Sequence, residues 1–406
     1  MVHRRAFFHL SGFDPYDPTA QHRRFVRELA RFAATWNVDA QVSAVRENGI
    51  ADGHWGVAAQ APGWQVDTAF ELLDWSDIVR AELRRPTGRR LWEGVATLAD
   101  LIATGTAWRY FAANWRYGMF FLVPFVNVLL FAVIALAAGG GIAAAMRLAD
   151  ASFLGVIAAI PTVALVFAAL MRWPGQRWRV VQGLADWVFA RDYMMGRHPD
   201  IEARIAAFAA RLVACARDAD VDEIVVAGHS LGATVAVDAL ARAFDRDPGL
   251  GRHGPQLCLL TIGATIPKLA LHPRGEWLRR KVRRLAAEPS LAWAEYQARD
   301  DVISFHKFDP VKLARVDDII EPGRPVIRRV QIHQMLGAPT RRRFRFNYMR
   351  LHYQFVMANE LRTAYDYFML MCGPAPFRRT IVLPNGPDDL YAADGSLRDA
   401  GGSAPP

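Results

Sequence analysis

The stretch from Asp222 to Phe244, DEIVVAGHSLGATVAVDALARAF, decides how this chain is read. It joins a short β-branched run to an alanine- and leucine-rich run of helical character, with GHSLG at the junction. A strand that passes so abruptly into a helix needs small residues at the turn. Gly228 and Gly232 each stand two residues from Ser230, where a side chain would collide with the neighbouring strand and helix. Such a turn lifts the Ser230 hydroxyl into the open and points the next backbone N–H groups, Leu231 first, at the place where negative charge would form. The helix dipole adds to that field. The pentapeptide alone carries little weight, because ordinary Gly and Ser usage produces it by chance. The strand before it and the helix after it give it force.

Outward from this junction, further strand candidates are Ala6 to Leu10, Val38 to Val45, Thr68 to Asp74, Leu257 to Ile262, Ala292 to Tyr296 and Val326 to Ile332, alongside Glu223 to Ala227 itself. Helical patterns separate several of them. Ile201, Ile205, Phe208 and Leu212 share one face at helical spacing, and Pro199 and Asp200 mark the start. Leu351, Phe355, Ala358, Leu361, Tyr365 and Phe368 make a second such face, ended by Gly373 and Pro374. Alternating strands and helices predict an α/β fold with a mostly parallel sheet and helices on both faces.

Between its two halves lies a different kind of sequence. No charged side chain occurs from Met119 to Met146, and after Arg147 to Asp150 a second uncharged run extends from Ala151 to Met171. Each is long enough for the roughly 20 apolar residues that cross a bilayer, and neither has the polar face of a soluble core helix. The pair reads as a transmembrane hairpin with Gly139 to Gly141 as a close-packing stretch. Trp108, Arg109, Trp115, Arg116 and Tyr117 precede it, and Arg172, Trp173, Arg177 and Trp178 follow, as anchors at a headgroup interface do. Arginines outnumber acids on both flanks, whereas the link holds Arg147 opposed by Asp150, so the positive-inside rule puts the remainder of the chain in the cytoplasm.

Composition narrows the classes. With 406 residues the chain exceeds one ordinary domain. Its three cysteines, Cys215, Cys258 and Cys372, are too few and too scattered for a disulfide framework or a cysteine zinc site, and fit a reducing compartment. The N-terminal MVHRRAFFHLSGFDP has too short an apolar run for a signal peptide. A net charge of +9 suits an anionic surface. Much of it sits in WLRRKVRRL, Trp277 to Leu285, and in RRRFRF, Arg341 to Phe346, which fit either headgroup adhesion or a solvated helix face. Nucleic acid is not expected as a partner, since no binding module accompanies the charge. Asp14 and Asp17 fall short of a calcium ligand set, and no H-E-x-x-H spacing occurs, so neither metal nor cofactor is expected.

On the GHSLG elbow the chain resembles the α/β-hydrolases, specifically lipase- and esterase-like members, over roughly residues 5 to 80 and 175 to 372. It departs from them in carrying a membrane hairpin before the nucleophile strand. The resemblance implies a Ser230 nucleophile, then an acid, then a histidine base, in that chain order. The acid follows WAEYQ in the loop ARDDVISF, where Asp301 is favoured over its neighbour Asp300 because DVISF is similar to the family's acid-bearing turn. Of the histidines beyond it, His352 just before the final helical pattern is preferred to His333 and His306. AFFHL running into SGFDPYDP looks like the early strand and glycine loop that supply the second oxyanion donor, with Gly12 and Phe13 as its N–H groups; a plain Pro- and Asp-rich turn is the alternative.

The expected organisation is an α/β-hydrolase fold in two parts, residues 1–110 and 176–383, interrupted by a hairpin over residues 111–175 and followed by a loose tail over 384–406. The expected function is that of an integral membrane serine hydrolase acting on carboxylic esters, lipid or acyl esters above all, with the bilayer and the substrate as partners. A catalytically silent domain serving as a membrane-bound interaction module is the rival.

Overall fold

Runs rich in Val, Ile, Phe and Leu become the strands, and the seven sequence candidates each overlap one. The computed structural model describes residues 1–47, 52–218, 220–316 and 324–398. Its strands are β1 (Arg4–Leu10), β2 (Asp39–Val42), β3 (Arg46–Glu47), β4 (Asp52–Ala61), β5 (Trp64–Leu73), β6 (Glu223–His229), β7 (Gln256–Ile262), β8 (Leu291–Ala298), β9 (Phe308–Asp309), β10 (Ala314–Arg315) and β11 (Val326–Val330). The main sheet runs β11-β8-β7-β6-β1-β5-β4-β2, with β3 paired to β4 and β9 to β10 apart from it. From β5 through β11 neighbours are parallel, and β4 and β2 are antiparallel. Strand β4 escaped the sequence reading because its Gly and Ala residues mute the alternation. Trp55, Val57 and Ala59 nonetheless all face the core.

The chain divides into two compact units, Met1–Val79 with His198–Pro406, and Arg80–Arg197. The first holds the sheet. Its helices are α1 (Pro18–Trp36), the start of α2 (Ser76–Arg84), α9 (Pro199–Asp218), α10 (Leu231–Arg246), α11 (Ile266–Ala270), α12 (Glu276–Ala287), α13 (Ile332–Met335), α14 (Ala338–Phe344), α15 (Tyr348–Tyr353), α16 (Tyr367–Cys372), α17 (Phe377–Val382) and α18 (Pro387–Leu390). The central strands are buried along their whole length, as both faces are covered. On one face Phe7, Phe70, Val225, Leu260 and Tyr296 pack with Phe25, Phe32 and Trp36 of α1 and with Phe368 and Met371 of α16. On the other, Arg211 of α9 lies over the Phe8 ring and pairs with Glu71.

A buried ion pair ties the later chain to the sheet. Arg5 of β1 bonds Glu223 of β6 at 2.8 Å and donates to the carbonyls of Met371, Gly373 and Ala375. Glu223 also accepts from the Phe377 N–H.

The Arg80–Arg197 unit is helical: α3 (Thr87–Ala103), α4 (Thr106–Ala113), α5 (Trp115–Leu148), α6 (Ser152–Arg172), α7 (Pro174–Arg177) and α8 (Val180–Met194). It is wider than the 111–175 segment expected, because α3, α4 and α8 pack with the hairpin: Trp187 of α8 meets Tyr110 of α4 and Phe121 of α5. Helices α5 and α6 are long and apolar enough to cross a membrane, at 34 and 21 residues. They approach closely at Gly139 and Gly155, where an added Cβ would lie 3.0 Å from the Ala159 carbonyl and 3.1 Å from that of Ala143. Val126, Leu129, Val133, Leu136, Phe153, Ile160 and Leu165 face outward, an apolar surface that water would penalise.

Two expectations are corrected. The single helix expected over 351–372 is instead α15, a 3-10 turn at Gln354–Val356, a loop and α16. Polar side chains take the backbone groups that a helix would have paired: Asn359 donates to the Tyr365 carbonyl, Gln354 to that of Ala358, and Asp366 caps α16. Nor is the tail loose from residue 384 through 398. Tyr391 is buried, Trp64 donates to the Gly395 carbonyl and Arg362 to those of Ala392 and Ala393. Residues 399–406 of that expected tail lie outside the described residues.

Candidate active site

The site forms at the carboxyl ends of the parallel strands, where loops converge without disturbing the sheet. Strand β6 ends at His229, and Ser230 follows with φ 57° and ψ −125°, a conformation costly for a residue with a Cβ. Helix α10 begins at once with Leu231, whose N–H has no acceptor within its own first turn. The elbow glycines are steric necessities. A Cβ at Gly228 would sit 2.5 Å from the Ala233 Cα, and one at Gly232 would collide with the carbonyl oxygens of Leu10 and Ser11.

The second contact is therefore with the end of β1. A Cβ at Gly12 would fall 2.9 Å from the Ser230 Cβ, so the Ser11–Gly12–Phe13 loop crosses directly over the serine. Phe13 is buried and its ring stands edge-on to Trp75, whose Nε1–H donates to the Ser11 carbonyl at 3.0 Å. These contacts hold the loop from behind.

Asp301 and His352 meet in the interior. His352 Nδ1–H donates to Asp301 Oδ2 at 2.7 Å, and the side chains are only 3% and 0% exposed. Asp301 also accepts from the Ser304 hydroxyl at 2.6 Å and the Ile303 N–H at 3.0 Å, which fixes its plane. With Nδ1 committed, His352 Nε2 is left as the free ring nitrogen; it is buried and has no hydrogen-bond partner among the described residues.

Asp300 goes elsewhere. Its Oδ2 accepts from His333 Nδ1 at 2.9 Å in a pair that is 32% and 45% exposed. The adjacent carboxylates thus face different histidines, and the structure brings Asp301, not Asp300, to His352.

Three contributors were missed in the sequence. His229, the second residue of GHSLG, donates from Nε2 to the His352 carbonyl at 3.1 Å, and its ring lies tilted against that of His352 with centroids 4.4 Å apart. Burial, then the neighbouring His352, push the His229 imidazole well below its ordinary pKa, so it stays neutral. Tyr353 donates to Asp14 Oδ2 at 2.7 Å, joining the histidine segment to the glycine loop. Ser304, three residues after Asp301, is the third. Only the local D-x-x-S pattern hinted at Ser304; the other two are contacts across 123 and 339 residues.

In comparisons with known proteins, no family model, no curated protein and no solved structure matches the chain.

Proposed function

We propose that the chain is a membrane-anchored serine hydrolase of the α/β-hydrolase type that cleaves carboxylic esters. The observation that carries the reading is the buried Asp301–His352 pair, whose imidazole lies 4.4 Å from the ring of His229, the residue before the strained Ser230. In this reading His352 Nε2 takes the Ser230 hydroxyl proton as Oγ attacks the ester carbonyl, and Asp301 steadies the imidazolium. The tetrahedral oxyanion rests on the backbone N–H groups of Leu231 and of the Gly12–Phe13 loop. His352 returns the proton to the leaving alcohol, giving an acyl-Ser230. Water, deprotonated by the same imidazole, then releases the carboxylic acid and restores the serine.

The outward apolar faces of α5 and α6 support their crossing a bilayer, and the arginine-rich flanks support a cytoplasmic hydrolase domain. That location favours lipid or acyl esters as substrate. The unpartnered His352 Nε2 is the one observation that favours the silent-module rival, although apo sites often tighten only when substrate binds.

A fluorophosphonate probe decides between them. Wild-type protein in detergent should become labelled, with Ser230→Ala as blank; equal signals from the two would sink the enzyme reading. Sidedness is read by protease in sealed inside-out vesicles, where the Ser230 domain should be digested while α5 and α6 survive.

A further inference from the structure

The two basic runs of the chain are chemically alike and structurally opposite. In α12 most of the cations are paired: Arg279 and Arg283 share Glu276 at 2.7 and 3.0 Å, Lys281 meets Asp238, and Arg284 meets Asp245. Its apolar residues Leu278, Val282 and Leu285 are buried against the body of the fold. That helix is a packed surface element whose cations are for the most part held by carboxylates of the same fold.

Helix α14 and the residues after it differ on every count. None of its residues is buried. Arg341, Arg342, Arg343 and Arg345 are exposed and pair with no carboxylate among the described residues, and Phe346 beside them is 70% exposed. From Pro322 to Asn359 the sequence holds eight arginines and no acidic residue. The segment is nonetheless held in place. Glu360 accepts from the Gly337 N–H at 2.6 Å and the Thr340 hydroxyl at 2.8 Å at its start, and Arg350 lies over the Phe344 ring at its end, two residues before His352.

We propose that Arg341–Phe346 is a docking surface for the anionic headgroups of a lipid bilayer, with Phe346 entering the headgroup layer. The proposal rests on the membrane anchoring proposed above. Arginine rather than lysine suits phosphate, which the planar guanidinium grips with two parallel hydrogen bonds. An exposed Phe346 set among arginines suits an interface that is wet on one side and apolar on the other, and a solvated charge run has no use for it. Tethering by the hairpin keeps the segment at high effective concentration near lipid, so weak contacts suffice. Because α14 leads directly into α15, docking would present the His352 segment to the bilayer from which an ester is drawn.

The test places an environment-sensitive fluorophore on a Phe346→Cys variant of the full chain. The native Cys215, Cys258 and Cys372 are buried and should not compete for the label. In nanodiscs, emission should shift to the blue when phosphatidylserine is added to phosphatidylcholine, and the shift should collapse in high salt. Replacing Arg341, Arg342, Arg343 and Arg345 by Gln should lower the docked-to-free ratio about fivefold for each arginine removed, with circular dichroism unchanged. Identical spectra in neutral and anionic discs would overturn the proposal. So would an equal shift given by a single-stranded oligonucleotide in neutral discs, which would reassign the patch to nucleic acid. Flotation separates the two ideas: a chain that floats with phosphatidylserine vesicles in an arginine-dependent way, but not with phosphatidylcholine vesicles, keeps the patch and loses the transmembrane anchor.

Discussion

Asp300 and Asp301 are neighbours in sequence with opposite environments, and that difference can be measured. Asp301→Asn should lower turnover by about 10⁴-fold, because an amide holds the imidazole in the wrong tautomer. Asp300→Asn, at an exposed pair with His333, should leave turnover within a factor of a few; the reverse ranking would exchange their roles. Tyr353→Phe removes the hydroxyl that donates to Asp14. Turnover should fall about tenfold while KM holds, since that bond positions the glycine loop and leaves substrate binding alone. A rise in KM with turnover unchanged would argue against positioning.

Away from the site, burial raises the Glu295 carboxyl to about 7, where Thr261 and Gln297 donate to it. Folding therefore favours its protonated form. The resulting stability is complete below about 4.5, the group's ordinary value, and is lost as pH rises through about 7. Glu295→Gln should abolish that loss, a difference on the order of 3 kcal/mol at high pH in denaturant unfolding. His9 has the opposite sign. Burial holds its ring near 3, so its contribution is lost as pH falls below about 6.5.

Among elements, the β6–Ser230–α10 junction was legible because its signal is local: β-branched residues, then two glycines at fixed distance, then a helical run. Helix α9 was legible for the same reason, with Pro199 at its start and Ile201, Ile205, Phe208 and Leu212 buried as spaced. The helix expected after His352 was not, because apolar periodicity is blind to Asn359 and Asp366 capturing backbone groups from a loop. The segment is held instead by Arg5 and Glu223, whose partners lie more than 150 residues away. Arg5→Met strands Glu223 without its cation in the interior, and should cost about 3–5 kcal/mol in denaturant unfolding. A cost below about 1 kcal/mol would show that the pair contributes little.

For the whole molecule, the Arg80–Arg197 unit is set into the chain at a point where the flanking residues stay together. Arg204 bonds both carboxylate oxygens of Asp77, at 2.9 and 2.8 Å, so the two ends of the sheet unit meet. Replacing residues 80–197 by a short Gly/Ser linker should therefore give a water-soluble chain that keeps its fold and still reacts with the fluorophosphonate probe; aggregation of that chain without detergent would show that the sheet unit depends on the helices. The sequence by itself determined what depends on near neighbours: the elbow, the strand-and-helix alternation and two uncharged spans, since turn sterics, side-chain periodicity and hydropathy act over a few residues. Only the tertiary structure decided which aspartate meets which histidine, that the Gly12 loop crosses Ser230 and that the Tyr353 hydroxyl reaches Asp14. Those contacts arise where separate strand ends converge, and no spacing along the chain encodes a distance across the sheet.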